Sequence, residues 1–176
     1  MGIDPGTTIT GYGVIGIKGN EPHMISLGVI DLRKLRDHYL KLKHIFDRTL
    51  GLIDEYLPDE LAIEAPFYGK NVQSMLKLGR AQGASIAAAL HRDIPISEYA
   101  PRKIKMSVVG VGAASKEQVA SMLMNILNFK EKDIVLDATD GLAAALCHFY
   151  QSNRPVSEKS YNSWKDFMSK NPGRVK

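Results

Sequence analysis

The hydrophobic period of this chain changes near residue 34, and that change restricts its fold more than any other feature. Residues 8–17 and 23–32 are rich in β-branched residues and glycine, with Gly19-Asn20 between them, the pattern of two strands joined by a turn. Ile3-Asp4, ahead of Pro5-Gly6, reads as the end of another strand entering a tight turn. Beyond residue 34, Leu35, Tyr39, Leu42, Phe46, Leu50, Ile53 and Leu57 follow at intervals of 4, 3, 4, 4, 3 and 4 residues. That spacing lays them along one face of a long helix, which Pro58 closes.

Leu61-Ala62-Ile63-Glu64-Ala65 then reads as a short buried strand ending at Pro66, and a second helix is predicted over about 71–91. Gly79, Gly83 and Ala87 stand four apart in it. Glycine costs a helix about 1 kcal/mol relative to alanine, so this stripe predicts the close approach of another backbone, within the fold or across a dimer. Residues 95–99 form a further strand candidate, and Pro101 opens a short helix to Ser107. Ser115 and Gln118 have the spacing of a capping box, and a last helix begins near Asp137. The order βββ-α-β-α-β-α-α predicts an α/β domain with a mixed five-stranded sheet: a three-stranded meander, then crossover helices.

At 176 residues the chain is about one domain, predicted over 1–153, with a basic, loose tail over 154–176. An apolar share of 44% excludes a disordered chain, and no apolar run is long enough to span a bilayer. No basic n-region precedes an apolar stretch at the start, so no signal peptide is expected. Cys147 is the single cysteine, which excludes internal disulfides and Cys-rich zinc sites and fits a reducing, cytoplasmic setting.

The net charge of +4 is unevenly distributed. Residues 1–69 carry 7 basic and 10 acidic side chains, residues 70–116 carry 8 and 2, and residues 117–150 carry 2 and 5. A basic segment flanked by acidic ones suits a polyanionic partner held near a carboxylate site.

Four acidic residues mark that site. Asp4 ends the first strand, Glu64 stands in an otherwise apolar strand, and Asp137 and Asp140 share a face three residues apart at the start of the last helix. Separately, Asp137 would also serve as an N-cap with Asp140 at N3, and Asp4 as a turn residue. A lone carboxylate in a buried strand, however, needs a partner. Four clustered carboxylates repel one another, and oxygen ligands of this kind favour Mg²⁺ or Mn²⁺. Two such ions about 3.5–4 Å apart would serve phosphoryl transfer.

The motifs are more specific. Gly2-Ile3-Asp4-Pro5-Gly6-Thr7 with Gly11-Tyr12-Gly13, Ile63-Glu64 with Phe67 and Lys70-Asn71, Leu76-Lys77-Leu78-Gly79-Arg80-Ala81, Tyr99-Ala100-Pro101-Arg102-Lys103-Ile104-Lys105, and Asp137-Ala138-Thr139-Asp140 occur in this order. The series, spread over residues 2–150, resembles the RuvC family of Holliday-junction resolvases. The resemblance implies a ribonuclease H-like fold, a homodimer, and Mg²⁺-dependent paired nicking of a four-way DNA junction. It implies that Asp4, Glu64, Asp137 and Asp140 are the metal-binding catalytic carboxylates and that Lys105 and Lys116 lie near the scissile phosphate. Phe67 matches an aromatic that stacks on a junction base. Lys70, Asn71, Lys77, Arg80, Arg102 and Lys103 are the expected DNA contacts, and a branch-migration motor of the RuvA and RuvB type is the implied partner.

Only Met1-Gly2-Ile3 precede Asp4, where the family has several apolar residues, so a clipped first strand and a loosened Asp4 are expected at the sheet edge. Three other readings compete. Asp4-x-Gly6-Thr7-Thr8 also resembles the phosphate hairpin of sugar and acetate kinases, but those need a second domain and a later glycine-rich loop. The block from Tyr99 to Val109 argues against an RNA-processing homologue. Four filled acidic positions argue against a junction-binding module that no longer cuts.

Overall fold

The computed structural model describes residues 1–66, 71–130, 135–153 and 168–169. The expected sites Phe67 and Lys70 fall outside these residues, as does nearly all of the expected tail.

Three strands open the chain: β1 (Gly2–Asp4), β2 (Ile9–Lys18) and β3 (Glu21–Asp31). They are followed by α1 (His38–Tyr56), β4 (Leu61–Glu64), α2 (Val72–Leu90) and β5 (Ile96–Tyr99). Three helices close the described domain: α3 (Pro101–Val109), α4 (Lys116–Ile126) and α5 (Leu136–Ser152). The short piece opened by Pro101 is thus a full nine-residue helix, one more than the predicted order counted. The mixed sheet runs β3-β2-β1-β4-β5, with β1 antiparallel to β2 and parallel to β4.

β1 is therefore the central strand rather than an edge. Three residues suffice there because both sides are paired: Gly2 lies opposite Gly13 on one side and Ala62 on the other. The expectation of a weakened edge is overturned, since parallel pairing with β4 places β1 inside the sheet.

Helices cover both faces. Ile3, Leu61 and Ile63 are fully buried in a core shared with Ile45, Leu52 and Ile53 of α1 and Ala81 and Ala89 of α2. Ala62 belongs to the opposite core, with Ile104 of α3, Leu123 of α4 and Leu142 and Leu146 of α5. Strand side chains alternate between faces, so Gly2 and Asp4 share the α5 side with Ala62 and Glu64.

The first helix departs from its sequence pattern. It starts at His38, with Asp37 as N-cap accepting from the Leu40 amide at 2.8 Å, and Leu35 lies in the preceding turn. Ile53 is buried as predicted, but Tyr39 and Leu57 are exposed, and Ile45, Thr49 and Leu52 face the core instead. The buried stripe is thus shifted from the predicted one, toward residues that share a core with the strands and with Ala81 and Ala89 of α2. The capping box of Ser115 and Gln118 is present as expected. Val135, not Asp137, is the N-cap of α5, and it makes no side-chain cap, which leaves Asp137 available for other partners.

A Cβ added at Gly79 or Gly83 would meet nothing within 4 Å. Among the described residues no backbone comes close to that stripe, so the close approach expected within the fold is not made there.

Candidate active site

The sheet's alternation and register assemble the site. Parallel pairing of Gly2 with Ala62 and Ile3 with Ile63 carries Asp4 and Glu64 to neighbouring positions one step further on. Neighbouring strands lie about 4.8 Å apart. α5 crosses this face with its N-terminus at the same end of the sheet, seated on glycines. A Cβ at Gly2 would stand 2.2 Å from the Gly141 carbonyl oxygen, and one at Gly13 2.4 Å from the Leu142 Cα. Without side chains between them, helix and sheet backbones touch, and Asp137 and Asp140 come down beside Asp4.

Electrostatics record the same convergence. Burial, then the charge of Asp140, pushes Asp4 up to about 7. Burial, then the charges of Asp4 and Asp140, pushes Glu64 up to about 8. Burial also raises Asp140, against the hydrogen bond and charge of Lys116. Two carboxyls that hold protons near neutrality mark a site where burial first, and the charge of neighbouring carboxylates second, disfavour the ionised form.

Lys116 supplies part of that charge. Its Nζ donates to Asp137 Oδ1 at 2.8 Å and lies 2.5 Å from Asp140 Oδ2. Partial burial works against the ammonium, but hydrogen bonds to Asp137 and Asp140 and their charges outweigh it and hold Lys116 above its ordinary range. Lys116 is the first residue of α4, directly after the N-cap Ser115, so the capping box fixes its backbone. Lys105 Nζ donates to the Ala114 carbonyl at 2.7 Å, bracing the loop that leads to Lys116, and its charge reaches Glu64 and Asp140.

Among the described residues no three His, Cys, Asp or Glu side chains stand close enough to enclose a metal ion as they are. The donor set nonetheless suits one. It is all oxygen, drawn from two strands and a helix, and its unrelieved repulsion is what a hard divalent cation offsets.

The expected DNA contacts are spread more widely. Asn71 accepts from the Ser74 amide at 3.1 Å as the N-cap of α2, so its side chain already has a structural task. Lys77 and Arg80 are exposed on α2. Arg102 and Lys103 lie in the first turn of α3, and Lys103 Nζ stands 5.1 Å from the centre of the Tyr99 ring. None of the four touches Asp4, Glu64, Asp137 or Asp140, although α2 and α3 both begin at the end of the sheet where these carboxylates lie. Sequence reasoning missed the glycines that seat α5. Gly11 and Gly13, two apart in a strand and therefore on one face, were the available signal.

A β3-β2-β1-β4-β5 sheet with acidic groups from its central strands and from a helix laid across them defines a nuclease of the ribonuclease H-like class. The family model for the crossover junction endodeoxyribonuclease RuvC matches residues 1–148, and the chain belongs to that family. The crossover junction endodeoxyribonuclease RuvC of Bacteroides fragilis is 67% identical over 178 residues, covering 100% of this chain and 95% of that protein. That of Porphyromonas gingivalis is 57% identical over 181 residues, covering 100% and 96%. The structure of Thermus thermophilus RuvC in complex with Holliday junction substrate superimposes with a TM-score of 0.77 at 33% identity, covering 85% of this chain and 92% of that one. No helix among the described residues is long and apolar enough to cross a membrane.

Proposed function

We propose that this chain resolves four-way DNA junctions by paired nicks in opposed strands, using Mg²⁺ held by Asp4, Glu64, Asp137 and Asp140, with Mn²⁺ as a substitute. One observation carries this reading. Asp4 and Glu64 lie side by side on the face that α5 crosses, and burial, then the charge of the neighbouring carboxylates, raises both toward neutrality.

Asp4, Glu64, Asp137 and Asp140 would hold the Mg²⁺ pair, whose chemistry would be activation of water and relief of charge at the leaving 3′ oxygen, with 5′-phosphate and 3′-hydroxyl ends expected. The remaining work falls to the chain. Asp4 and Glu64, fixed by the sheet, set the position of the site relative to the scissile phosphate. Lys116, bridging two aspartates, is placed to exchange a carboxylate for a phosphate oxygen and to steady its growing charge. Lys105 holds the loop carrying Lys116 and adds positive potential beside Glu64.

A homodimer suits a near-symmetric junction, with one cut from each protomer. Its support here is the exposed stripe of Val72, Leu76, Gly79 and Gly83 on α2. Phe67 would stack on a junction base, and Lys70, Asn71, Lys77, Arg80, Arg102 and Lys103 would follow the phosphates. A motor of the RuvA and RuvB type is the expected partner, and the cytoplasm the expected compartment. Residues 1–153 form the nuclease domain in this reading.

The test is cleavage of a labelled synthetic four-way junction against a linear duplex, in Mg²⁺ and in EDTA, with Asp4→Asn and Glu64→Gln alongside. Symmetric nicks in the junction alone, lost in EDTA and in both variants, are expected. Tight binding without cutting in either Mg²⁺ or Mn²⁺ would make the chain a binding module instead.

A further inference from the structure

We propose that the turn between β3 and α1 is a second phosphate-binding element, gripping the cleaved strand through Lys34 and Arg36 beside an Arg33 that Asp31 holds in place. The inference rests on the junction-cutting reading and adds a surface to it. It comes from a stretch whose overall charge, over residues 1–69, is acidic.

Topology puts this turn at the catalytic end of the sheet. β1 and β3 are both antiparallel to β2, so they point the same way, and Asp31 ends β3 at the end where Asp4 ends β1. With strands about 4.8 Å apart, the two ends are about 10 Å from each other. The turn also joins the loop that follows Asp4. Leu32 N–H donates to the Thr8 carbonyl at 2.9 Å, and Lys41 Nζ in α1 donates to the Thr7 carbonyl at 2.8 Å.

Packing turns the cations outward. Leu32 is fully buried and Leu35 packs against the same core, whereas Arg33, Lys34 and Arg36 are exposed. The two nearby carboxylates are already engaged. Asp31 accepts from Arg33 Nε and Nη2 at 3.0 and 2.7 Å, and Asp37 caps α1. Among the described residues Lys34 and Arg36 form no ion pair. The Asp31 hydrogen bonds, then its charge, hold Arg33 above its ordinary range, and the charge of Asp137 adds to them, which places the turn within electrostatic reach of the catalytic carboxylates.

A polyanion approaching four carboxylates needs cations on more than one side. α2 and α3 supply them beside β4 and β5, and this turn supplies them beyond β2. One strand of B-form DNA advances about 3.4 Å per nucleotide, so 10 Å reaches phosphates within about three nucleotides of the cleaved one.

The experiment uses the full chain carrying Asp4→Asn, in EDTA, with and without Lys34→Ala/Arg36→Ala, binding a synthetic four-way junction over a salt series. Loss of two phosphate contacts should weaken binding about tenfold near 0.15 M salt and reduce the slope of log K against log salt by about one to two. Neutral methylphosphonates at single positions within three nucleotides of the cut should weaken binding by the chain with its lysine and arginine, and at one position should cost the double variant nothing further. An unchanged slope in a variant that melts like its parent would overturn the inference and leave the functional reading standing. A chain with its own Asp4 that neither binds nor cuts the junction would overturn that reading, and the inference with it.

Discussion

A Cβ placed on Gly11 would stand 1.8 Å from the carbonyl oxygen of Asp137. The second strand and the first turn of α5 are thus in backbone contact, and that contact brings the α5 carboxylates to Asp4. Gly11→Ala must push the helix start away from the sheet. Overpacking of this kind costs about 3 kcal/mol, and a shift of about 1 Å at a catalytic group costs about 100-fold in rate. Cleavage by Gly11→Ala should fall at least that far under conditions where circular dichroism shows it folded. Near-normal turnover would mean that α5 need not sit where the glycines put it.

Lys116 makes a different prediction, because its pair with Asp137 lies at the surface, where such pairs contribute about 1 kcal/mol or less, and Asp140, largely buried, can take up a proton once the ammonium is gone. Lys116→Ala should melt close to the parent, bind a four-way junction within a few-fold, and cut about 100-fold more slowly or worse. Lys116→Arg should recover part of the rate. A loss of binding as large as the loss of rate would make the lysine an affinity contact only.

The crowded carboxylates predict an unusual pH dependence without metal. Asp4 and Glu64 titrate at about 7 and about 8 in the folded chain, above unfolded values of about 3.9 and about 4.3. The folded state therefore binds more protons between these limits, and stability falls as pH rises. Their contribution is complete below about pH 4 and is lost as pH passes through 7 to 8. In EDTA, melting temperatures should decline from pH 5 to pH 9, less steeply in Asp4→Asn and Glu64→Gln, and Mg²⁺ should reverse most of the high-pH loss. Parallel profiles for parent and variants would show that the two groups are not coupled in this way.

Asn71 separates capping from DNA contact. Asn71→Ala removes the side-chain cap of α2 and should cost about 1 kcal/mol, which Asn71→Ser should largely restore. If junction binding recovers with stability in the serine variant, the residue acts by ordering α2. If stability returns and binding does not, it touches the DNA.

Local chemistry made much of this molecule readable in advance. The meander, the strand carrying Glu64, the capping box at Ser115 and the four carboxylates follow from side-chain period, turn residues and the cost of charge in an apolar run, all properties of short stretches of chain. The face of α1 that is buried did not fully follow, because Tyr39 and Ile45 are both largely apolar and only the seating of α1 on the sheet and α2 decides which is covered. Nor did the N-cap of α5, where Asp137 is the better capping residue but Val135 holds the position and the aspartate turns to Lys116.

The deeper division lies between which groups the chain carries and where they meet. Residue type and spacing were enough to name Asp4, Glu64, Asp137 and Asp140 as candidates, since each is an acid where solvation alone would not place one. Their meeting depended on the register of β1 against β4 and on glycines that let α5 rest directly on β1 and β2. The same holds for Arg33, Lys34 and Arg36, lost in a stretch of net negative charge until the direction of β3 put them at the catalytic end. Register and helix seating are contacts between segments far apart in the chain, and no local pattern of residues encodes the distance between two such segments.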